Sequence, residues 1–150
     1  MPQVFVSDGS GFLGRNLIRY LTKLGHTVTA IARSQESAKK CHDAGASKVV
    51  RVDLFDVQRL AEAAQGCVWC CHTAADVTQW AKDWAPIRLN NVQGTVNVIT
   101  ACKMAGVKRV VHVSSEGVIC QRGRPLRMAD ETVPPVADNG HLGPYQATKK

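Results

Sequence analysis

The sequence predicts an α/β fold with a parallel sheet, and three observations lead to this prediction. Short apolar runs of four to six residues alternate along the chain with longer amphipathic stretches. A glycine or a helix-capping side chain stands at most of the junctions between them. Five of the short runs are separated by helical patterns, which are the crossovers that parallel strands require. Right-handed crossovers would place helices on both faces of such a sheet.

The first three strands are apolar or β-branched runs, predicted at residues 4–6, 27–32 and 49–52. A helix over residues 12–24 is expected between the first two, because its leucines and isoleucine share one face and Gly25 ends it. The next two predicted helices, over 35–43 and 57–64, begin after capping side chains at Ser34 and Asp56.

The second half of the chain continues the alternation and then departs from it. Strands are predicted at residues 68–72 and 109–114, with a helix over 89–104 that Gly94 interrupts. A polar stretch rich in glycine and proline, from 117 to 143, predicts an irregular surface loop. Pro144 then suits the first turn of a final helix.

Composition and charge narrow the class of protein. The 150 residues suit one domain, and 45% hydrophobic with 21% charged residues indicate a globular chain. No apolar run is long enough to span a bilayer and no leader pattern is present, so we expect a soluble, cytoplasmic protein without a membrane segment. The net charge of +7 comes from dispersed lysines and arginines, which argues against nucleic acid as a partner.

The cysteines between residues 67 and 72 superficially suggest a metal or haem site. Cys71 separates the Cys67–Cys70 pair from His72, which breaks the haem attachment spacing, and no second ligand pair exists for zinc. We therefore expect no metal, and interpret these cysteines as small apolar residues of a buried strand. His72 is interpreted as a hydrogen-bonded histidine at the edge of the core.

The segment between the first strand and the first helix carries a dinucleotide-binding pattern. Glycines with the spacing G-x-G-x-x-G permit a tight turn and a close approach of backbone N–H groups to a pyrophosphate. The helix that follows would favour the negative charge. A glycine turn without a ligand is the alternative. The candidate cofactor-binding residues of this loop are Gly9, Ser10, Gly11, Phe12, Leu13 and Gly14.

Arg33 follows the second strand, where an acidic residue would bind the 2′-hydroxyl of NAD. A guanidinium can instead pair with a 2′-phosphate. NADP is therefore the predicted cofactor, with NAD as the alternative. Arg33 could instead be a solvated surface arginine that binds no cofactor.

Tyr145 and Lys149 stand four residues apart near the end of the chain. On a helix they would share one face. An ammonium close to a phenol favours the phenolate, which can make tyrosine an acid/base near neutral pH. By itself this spacing is common, so the pair depends on the rest of the chain for its meaning.

These motifs together resemble the extended short-chain dehydrogenase/reductase family over essentially the whole chain. Besides the glycine loop and the Y-x-x-x-K pair, the chain has the family's acidic position, its H-x-A-A and N-V-x-G-T segments and a serine pair after strand five. In this sequence they are Asp53-Leu54, His72-Thr73-Ala74-Ala75, Asn91-Val92-Gln93-Gly94-Thr95 and Ser114-Ser115. Around Trp80, residues 105–110 and Ser114-Ser115-Glu116, the chain most resembles the 3β-hydroxysteroid-dehydrogenase-like and dihydroflavonol-reductase-like branch.

The resemblance implies a Rossmann-type doubly wound parallel sheet, ended here before the last strands and the C-terminal substrate region. It implies catalysis by Ser115, Tyr145 and Lys149, with Ser115 preferred to Ser114. Further cofactor contacts would come from Asp53, Leu54, Thr73, Ala74 and Ala75, and also from Tyr145 and Lys149.

The implied function is hydride transfer between NADP and a secondary alcohol or ketone of a small-molecule substrate. A sugar-nucleotide epimerase or dehydratase and a non-catalytic nucleotide-binding module are the alternatives. The resemblance is compatible with a homodimer of an intact form. Asn91 has a structural role at least as readily as a catalytic one.

Two departures from the family pattern lead to expectations of their own. Asp8 occupies the first glycine of the loop, where its charge should weaken pyrophosphate binding and a positive φ would strain it. Because Lys149 is followed only by Lys150, we expect a fraying end that does not hold Lys149 in place. We also expect one edge of the sheet to expose an apolar strand.

Overall fold

The fold is described from a computed structural model, which covers residues 1–120, 128–137 and 143–150. The strands are β1 Gln3–Ser7, β2 Thr27–Ala32, β3 Lys48–Arg51, β4 Trp69–His72 and β5 Arg109–His112. The helices are α1 Phe12–Lys23, α2 Gln35–Asp43, α3 Val57–Ala64, α4 Ala85–Arg88, α5 Gly94–Met104 and α6 Pro144–Ala147. A π-turn at Leu89–Gln93 and a 3₁₀ turn at Glu116–Val118 complete them.

The chain divides into two compact units. The larger unit, residues 1–75 and 94–113, contains a five-stranded sheet in the order β3-β2-β1-β4-β5. All four strand pairs are parallel, which confirms the predicted fold class. The strand order reverses direction between β1 and β4, and the carboxyl ends of the strands share one edge, where ligands of such sheets bind.

The core of this unit lies on both faces of the sheet because β1 is buried on both sides. Val4 and Val6 pack with Ile18 of α1 on one face. Phe5, between them, points the other way and packs with Leu60 of α3 and Val98 of α5. Alternate residues of a strand face opposite sides, so three successive apolar residues serve both layers.

The interpretation of the cysteines at 67–71 as residues of a buried strand holds for Cys70, whereas Cys67 is buried but precedes β4. Cys67, Cys70 and Cys102 are buried together with Phe5, and Cys41 is buried with Ile18 on the opposite face. All are free thiols. Burial, together with the charge of Asp8, raises the pKa of Cys41 to about 11, so this thiol is uncharged near neutral pH.

β5 is the outer strand on one side of the sheet, and its Val111 is 52% exposed. The exposed apolar strand edge expected from the sequence is therefore present. β5 ends at His112 rather than at residue 114, so the serine pair lies in the segment after the strand.

The smaller unit comprises residues 76–93 and 114–150. Its helical structure begins at Ala85, four residues earlier than predicted, because Pro86 suits a first turn and Ile87 is buried. The predicted interruption at Gly94 is the point where the π-turn ends. The loop predicted over 117–143 lies partly outside the described residues. Within the residues that the structure describes, none of the helices combines the length and the hydropathy of a membrane span.

Candidate functional site

The glycine loop joins β1 to α1 at the carboxyl edge of the sheet, as its pattern predicted. Gly9 has no room for a side chain, since a Cβ there would lie 2.8 Å from the Ala30 Cβ and 3.0 Å from the Ile18 Cδ1. Gly14 is equally confined, because its Cβ would overlap the Asp8 carbonyl oxygen. These two glycines bring the first turn of α1 directly against the end of β1.

The N-terminus of α1 carries no side-chain cap. Gly11 is its N-cap residue, and no acidic side chain stands in the first turn. The first backbone N–H groups of a helix have no partner within the helix, and together they favour an anion. The loop therefore provides the donors that a pyrophosphate group needs.

Asp8 lies at the centre of this loop. Its φ of +49° is the left-handed conformation expected for the position. Its Oδ2 lies 2.5 Å from where a Gly11 Cβ would be, and Ser10 Oγ donates a hydrogen bond to its Oδ1 at 3.4 Å. Burial raises the pKa of the Asp8 carboxyl above its ordinary value, against the opposing effects of Ser10, the Arg33 charge and the Gly11 N–H. A carboxylate thus lies over the glycine that a phosphate would approach.

Arg33 is exposed and directly follows β2, so it lies at the same edge of the sheet. Its positive charge favours the ionised form of the Asp8 carboxyl, so the guanidinium lies close enough to the glycine loop to act on it electrostatically. The side chain is therefore placed to interact with an anionic group bound at this edge.

Asp53 and Leu54 follow β3 at this edge. Asp53 is exposed and its Oδ1 accepts a hydrogen bond from the Phe55 N–H at 2.9 Å. The Leu54 carbonyl oxygen accepts from Asn97 Nδ2 at 3.0 Å, and a Gly94 Cβ would lie 3.3 Å from the Leu54 Cδ1. The glycine of the N-V-x-G-T segment thus lets α5 approach the end of β3.

The ends of β1 and β4 are joined by a buried polar network around Ser7. The Ser7 Oγ accepts hydrogen bonds from the N–H groups of Thr73, at 3.0 Å, and Ala74, at 3.1 Å. The Thr73 hydroxyl donates to the Ser7 carbonyl oxygen. This holds Thr73 and Ala74 beside the phosphate loop, with Ala75 following them.

The same network holds His72, which is 1% exposed. Its Nδ1 is hydrogen-bonded to Ser7 Oγ at 2.7 Å and its Nε2 to Thr95 Oγ1 at 2.9 Å. His72 is therefore a hydrogen-bonded histidine at the core edge, as expected. The role of Ser7 was missed from the sequence, where only its place at the start of the loop motif hinted at it.

Ser115 lies in the smaller unit and is half-buried. It is the N-cap of the 3₁₀ turn, accepting from the Gly117 N–H at 3.1 Å and donating to Glu116 Oε2 at 3.3 Å. Ser115 therefore caps the turn that follows it. A Gly117 Cβ would lie 2.6 Å from the Gln146 Cγ, so the Ser115 segment packs closely on α6.

The helical placement predicted for the Tyr145/Lys149 pair is wrong. α6 ends at Ala147, because the N–H groups of Thr148 and Lys149 bond to the carbonyls of Tyr145 and Gln146, only three residues back. Lys149 therefore lies beyond the helix. It does not fray: its side chain is 3% exposed, and its carbonyl oxygen accepts from Ser114 Oγ at 2.6 Å. Burial lowers the pKa of the Lys149 ammonium below its ordinary value.

Asn91 fixes the last residues of the chain through hydrogen bonds. It lies buried in the π-turn, and its Nδ2 donates to Thr148 Oγ1 at 2.8 Å and to the Asp76 carbonyl oxygen at 2.9 Å. Its Oδ1 accepts from the Asp76 N–H at 2.6 Å. The Thr148 hydroxyl in turn donates to the Tyr145 carbonyl oxygen at 2.9 Å. A single amide thus joins the segment after β4 to the residue that separates α6 from Lys149.

The structure thus brings the candidate residues into two groups. The loop from Gly9 to Gly14, Arg33, Asp53-Leu54 and 73–75 meet at one edge of the sheet in the larger unit. Ser115, Tyr145 and Lys149 belong to the smaller unit, where the 3₁₀ turn packs on α6.

The chain is similar to known proteins over most of its length. The model of the 3-beta hydroxysteroid dehydrogenase/isomerase family matches residues 5–150. A 4-hydroxy-2-methyl-3-oxo-4-farnesyl-3,4-dihydroquinoline-1-oxide ketoreductase of Stigmatella aurantiaca is 40% identical over 132 residues, 88% of this chain and 39% of that protein. A decarboxylating sterol-4-alpha-carboxylate 3-dehydrogenase of Dictyostelium discoideum is 34% identical over 137 residues, which are 89% of this chain and 41% of that protein.

Among solved structures, a UDP-glucose-4-epimerase of Stenotrophomonas maltophila with bound NAD superposes with a TM-score of 0.84 at 23% identity. The match covers 99% of this chain and 46% of that one, and at this identity it shows the fold alone. The chain spans about two fifths of the length of the two curated relatives.

Proposed function

The chain belongs to the 3-beta hydroxysteroid dehydrogenase/isomerase family, and on that basis we propose that it acts in an NADP-dependent oxidoreductase. The reaction would interconvert a secondary alcohol and a ketone of a small molecule. The observation that carries the proposal is the uncapped N-terminus of α1, which the confined glycines Gly9 and Gly14 hold at the strand-order reversal of a parallel sheet.

The cofactor would supply the hydride, and its pyrophosphate would bind at the N–H groups of the first turn of α1, from Phe12 onwards. Arg33 favours NADP over NAD, because a guanidinium at the end of β2 can pair with a 2′-phosphate and the position lacks the acidic side chain that binds a 2′-hydroxyl. Asp53 would contact the adenosine part, at the end of β3.

The chain's own residues would handle the proton. In the reducing direction the Tyr145 hydroxyl would donate a proton to the carbonyl oxygen of the substrate, and Ser115 would hydrogen-bond that oxygen. The Lys149 ammonium would stabilise the phenolate that remains. Lys149 is 3% exposed, and such a buried cation is costly unless a nearby negative group compensates for it.

The test is oxidation of NADPH in the presence of ketones, followed by its absorbance. The relatives' names suggest fused-ring ketones of the quinoline and sterol types for the panel. We expect Tyr145→Phe to remove turnover while NADPH binding persists. Tyr20→Phe is the matched control, because Tyr20 is the chain's other tyrosine and is 61% exposed on α1.

Other outcomes would identify a different function. NADP binding without any turnover would indicate a nucleotide-binding module. Isomerisation of a sugar nucleotide without net consumption of cofactor would indicate an epimerase. A preference for NAD that Arg33→Ala leaves unchanged would contradict the assignment of the cofactor.

A further inference from the structure

The smaller unit contains an open surface cleft whose lining includes none of the proposed cofactor-binding or acid/base residues. Its volume is about 390 Å³, within the range of small-molecule sites. We name it the tryptophan pocket. Its lining includes Gln79, Trp80, Lys82, Trp84, Gly143 and Pro144.

Two of the chain's three tryptophans line this pocket, and both are exposed. Trp80 is 82% exposed and Trp84 is 39% exposed. Indole rings are large apolar surfaces that normally lie in a core or at a binding surface. Their convergence on one cavity indicates a surface for a ligand, rather than apolar side chains scattered singly.

The walls of the pocket are held by specific contacts. Gln146 Nε2 donates to Gln79 Oε1 at 2.9 Å, which joins the Trp80 segment to α6. A Cβ at Gly143 would lie 2.8 Å from the Gln79 carbonyl oxygen, so the two backbones are packed too closely for a side chain there. Pro144, in the wall, directly precedes Tyr145. The pocket is therefore built against the helix that carries the proposed proton donor.

The chemistry of the lining selects a class of ligand. Indole faces bind flat rings by stacking, and Lys82 adds a cation that forms no ion pair with another described residue. Gln79 Oε1 already accepts a hydrogen bond from Gln146 Nε2. A sugar would also stack on tryptophan, so the test below includes a sugar probe.

We propose that the tryptophan pocket binds the planar, fused-ring part of the substrate of the proposed reductase, with Lys82 binding an anionic substituent on that ring. This assignment of a substrate class rests on the proposed function. It adds Trp80, Trp84 and Lys82 as residues that determine specificity.

The test is direct binding to the full chain by calorimetry, without cofactor. The probe is 2-naphthoate, which is planar, bicyclic and anionic. It is compared with decalin-2-carboxylate, which has the charge without the flat rings, and with 2-naphthylmethanol, which has the rings without the charge. Glucose serves as the sugar probe.

We expect 2-naphthoate to bind about tenfold more tightly than the decalin acid, and Trp80→Ala and Trp84→Ala each to remove about this factor. Lys82→Gln should weaken 2-naphthoate about three- to fivefold and leave 2-naphthylmethanol unchanged. Trp69→Phe is the matched control, because Trp69 lies on β4 against His26 and outside the pocket. It should leave all affinities unchanged.

Equal affinity for 2-naphthoate and decalin-2-carboxylate would overturn the proposal. So would binding of glucose that is tighter than that of 2-naphthoate, or an affinity for 2-naphthoate that neither tryptophan variant changes. Its failure is distinguishable from failure of the proposed function. If naphthyl ketones are reduced but the tryptophan variants do not change KM, the pocket is refuted and the reductase stands. If 2-naphthoate binds as expected and no ketone is reduced, the reductase is refuted and the aromatic-binding pocket stands.

Discussion

Replacing Asp8 tests whether its negative charge weakens the binding of NADP⁺ at the glycine loop. Asp8→Asn removes the charge and keeps a side chain that tolerates the positive φ at this position. Asp8→Gly removes the charge and also relieves the conformation. Since the carboxylate lies over Gly11, where a phosphate would approach, we expect both variants to bind NADP⁺ more tightly than the native chain.

The size of the effect follows from Coulomb's law. Two unit charges about 6 Å apart repel by about 3 kcal/mol at an effective dielectric constant of about 20, and by about 0.7 kcal/mol in bulk water. The site is partly open, so we expect a gain of about 1–2 kcal/mol, or roughly five- to thirtyfold in affinity. The Arg33 charge and the Ser10 hydrogen bond partly offset the negative charge of Asp8 and so reduce its repulsion of a phosphate. The gain of about 2 kcal/mol is therefore an upper limit.

The effect should also depend on pH. Burial raises the pKa of Asp8 above 3.8, so the folded chain keeps this proton to a higher pH than an unfolded chain would. The repulsion is present at high pH and is lost as the pH falls through this raised pKa. NADP⁺ binding by the native chain should therefore strengthen on acidification, relative to Asp8→Asn. Because protonation of the 2′-phosphate affects both proteins equally, the difference between them reports Asp8.

The assay is a calorimetric titration of NADP⁺ at several pH values against all three proteins. Equal affinities and equal pH profiles for the native chain and Asp8→Asn would refute the reasoning. Asp8→Gly tighter than Asp8→Asn would show that backbone strain contributes beyond charge.

Three further substitutions test the packing and the polar network by denaturant unfolding. Asn91→Ala removes three hydrogen bonds, to the Asp76 N–H, the Asp76 carbonyl oxygen and the Thr148 hydroxyl, and should cost about 2–3 kcal/mol. Asn90→Ala removes one bond of 3.3 Å and should cost below about 1 kcal/mol. Equal costs would contradict the network. Gly9→Ala should cost about 1–3 kcal/mol because its Cβ would meet Ala30, Cys41 and Ile18, while Gly11→Ala would meet only the movable Asp8 side chain and should cost less. Lys149→Met should raise the free energy of unfolding at neutral pH, because burial lowers the pKa of Lys149 and so penalises its charged form. This penalty fades as the pH rises through the lowered pKa, so the native chain should gain stability towards alkaline pH relative to the variant. A destabilised Lys149→Met would show that the ammonium has a compensating partner.

The fold could be predicted from the sequence because its signals are local and periodic. Val4, Phe5 and Val6 form one apolar run that serves both core layers, and Gly25, Ser34 and Asp56 mark ends of elements through backbone geometry and capping. The glycine spacing of the loop after β1 is local in part: Gly11 and Gly14 lie against Asp8, a few residues away, whereas Gly9 is confined by Ala30 and Ile18, which only the fold brings close.

The candidate site was less predictable where its contacts join distant parts of the chain. The four-residue spacing of Tyr145 and Lys149 indicated a shared helix face, but α6 ends between them. What holds Lys149 is Ser114, with Asn91 bonded to the neighbouring Thr148. No periodicity records such bonds, because they form only after the segments meet.

The sequence by itself determined the parallel α/β fold, the family and the glycine loop between β1 and α1, because these rest largely on local propensities and steric limits. Only the tertiary structure decided that Ser7 holds the end of β4, that Lys149 is buried beyond its helix and that Trp80 and Trp84 share a cavity. Burial and hydrogen bonding between residues far apart in sequence depend on how the elements pack, and that packing is not present in any single stretch of the chain.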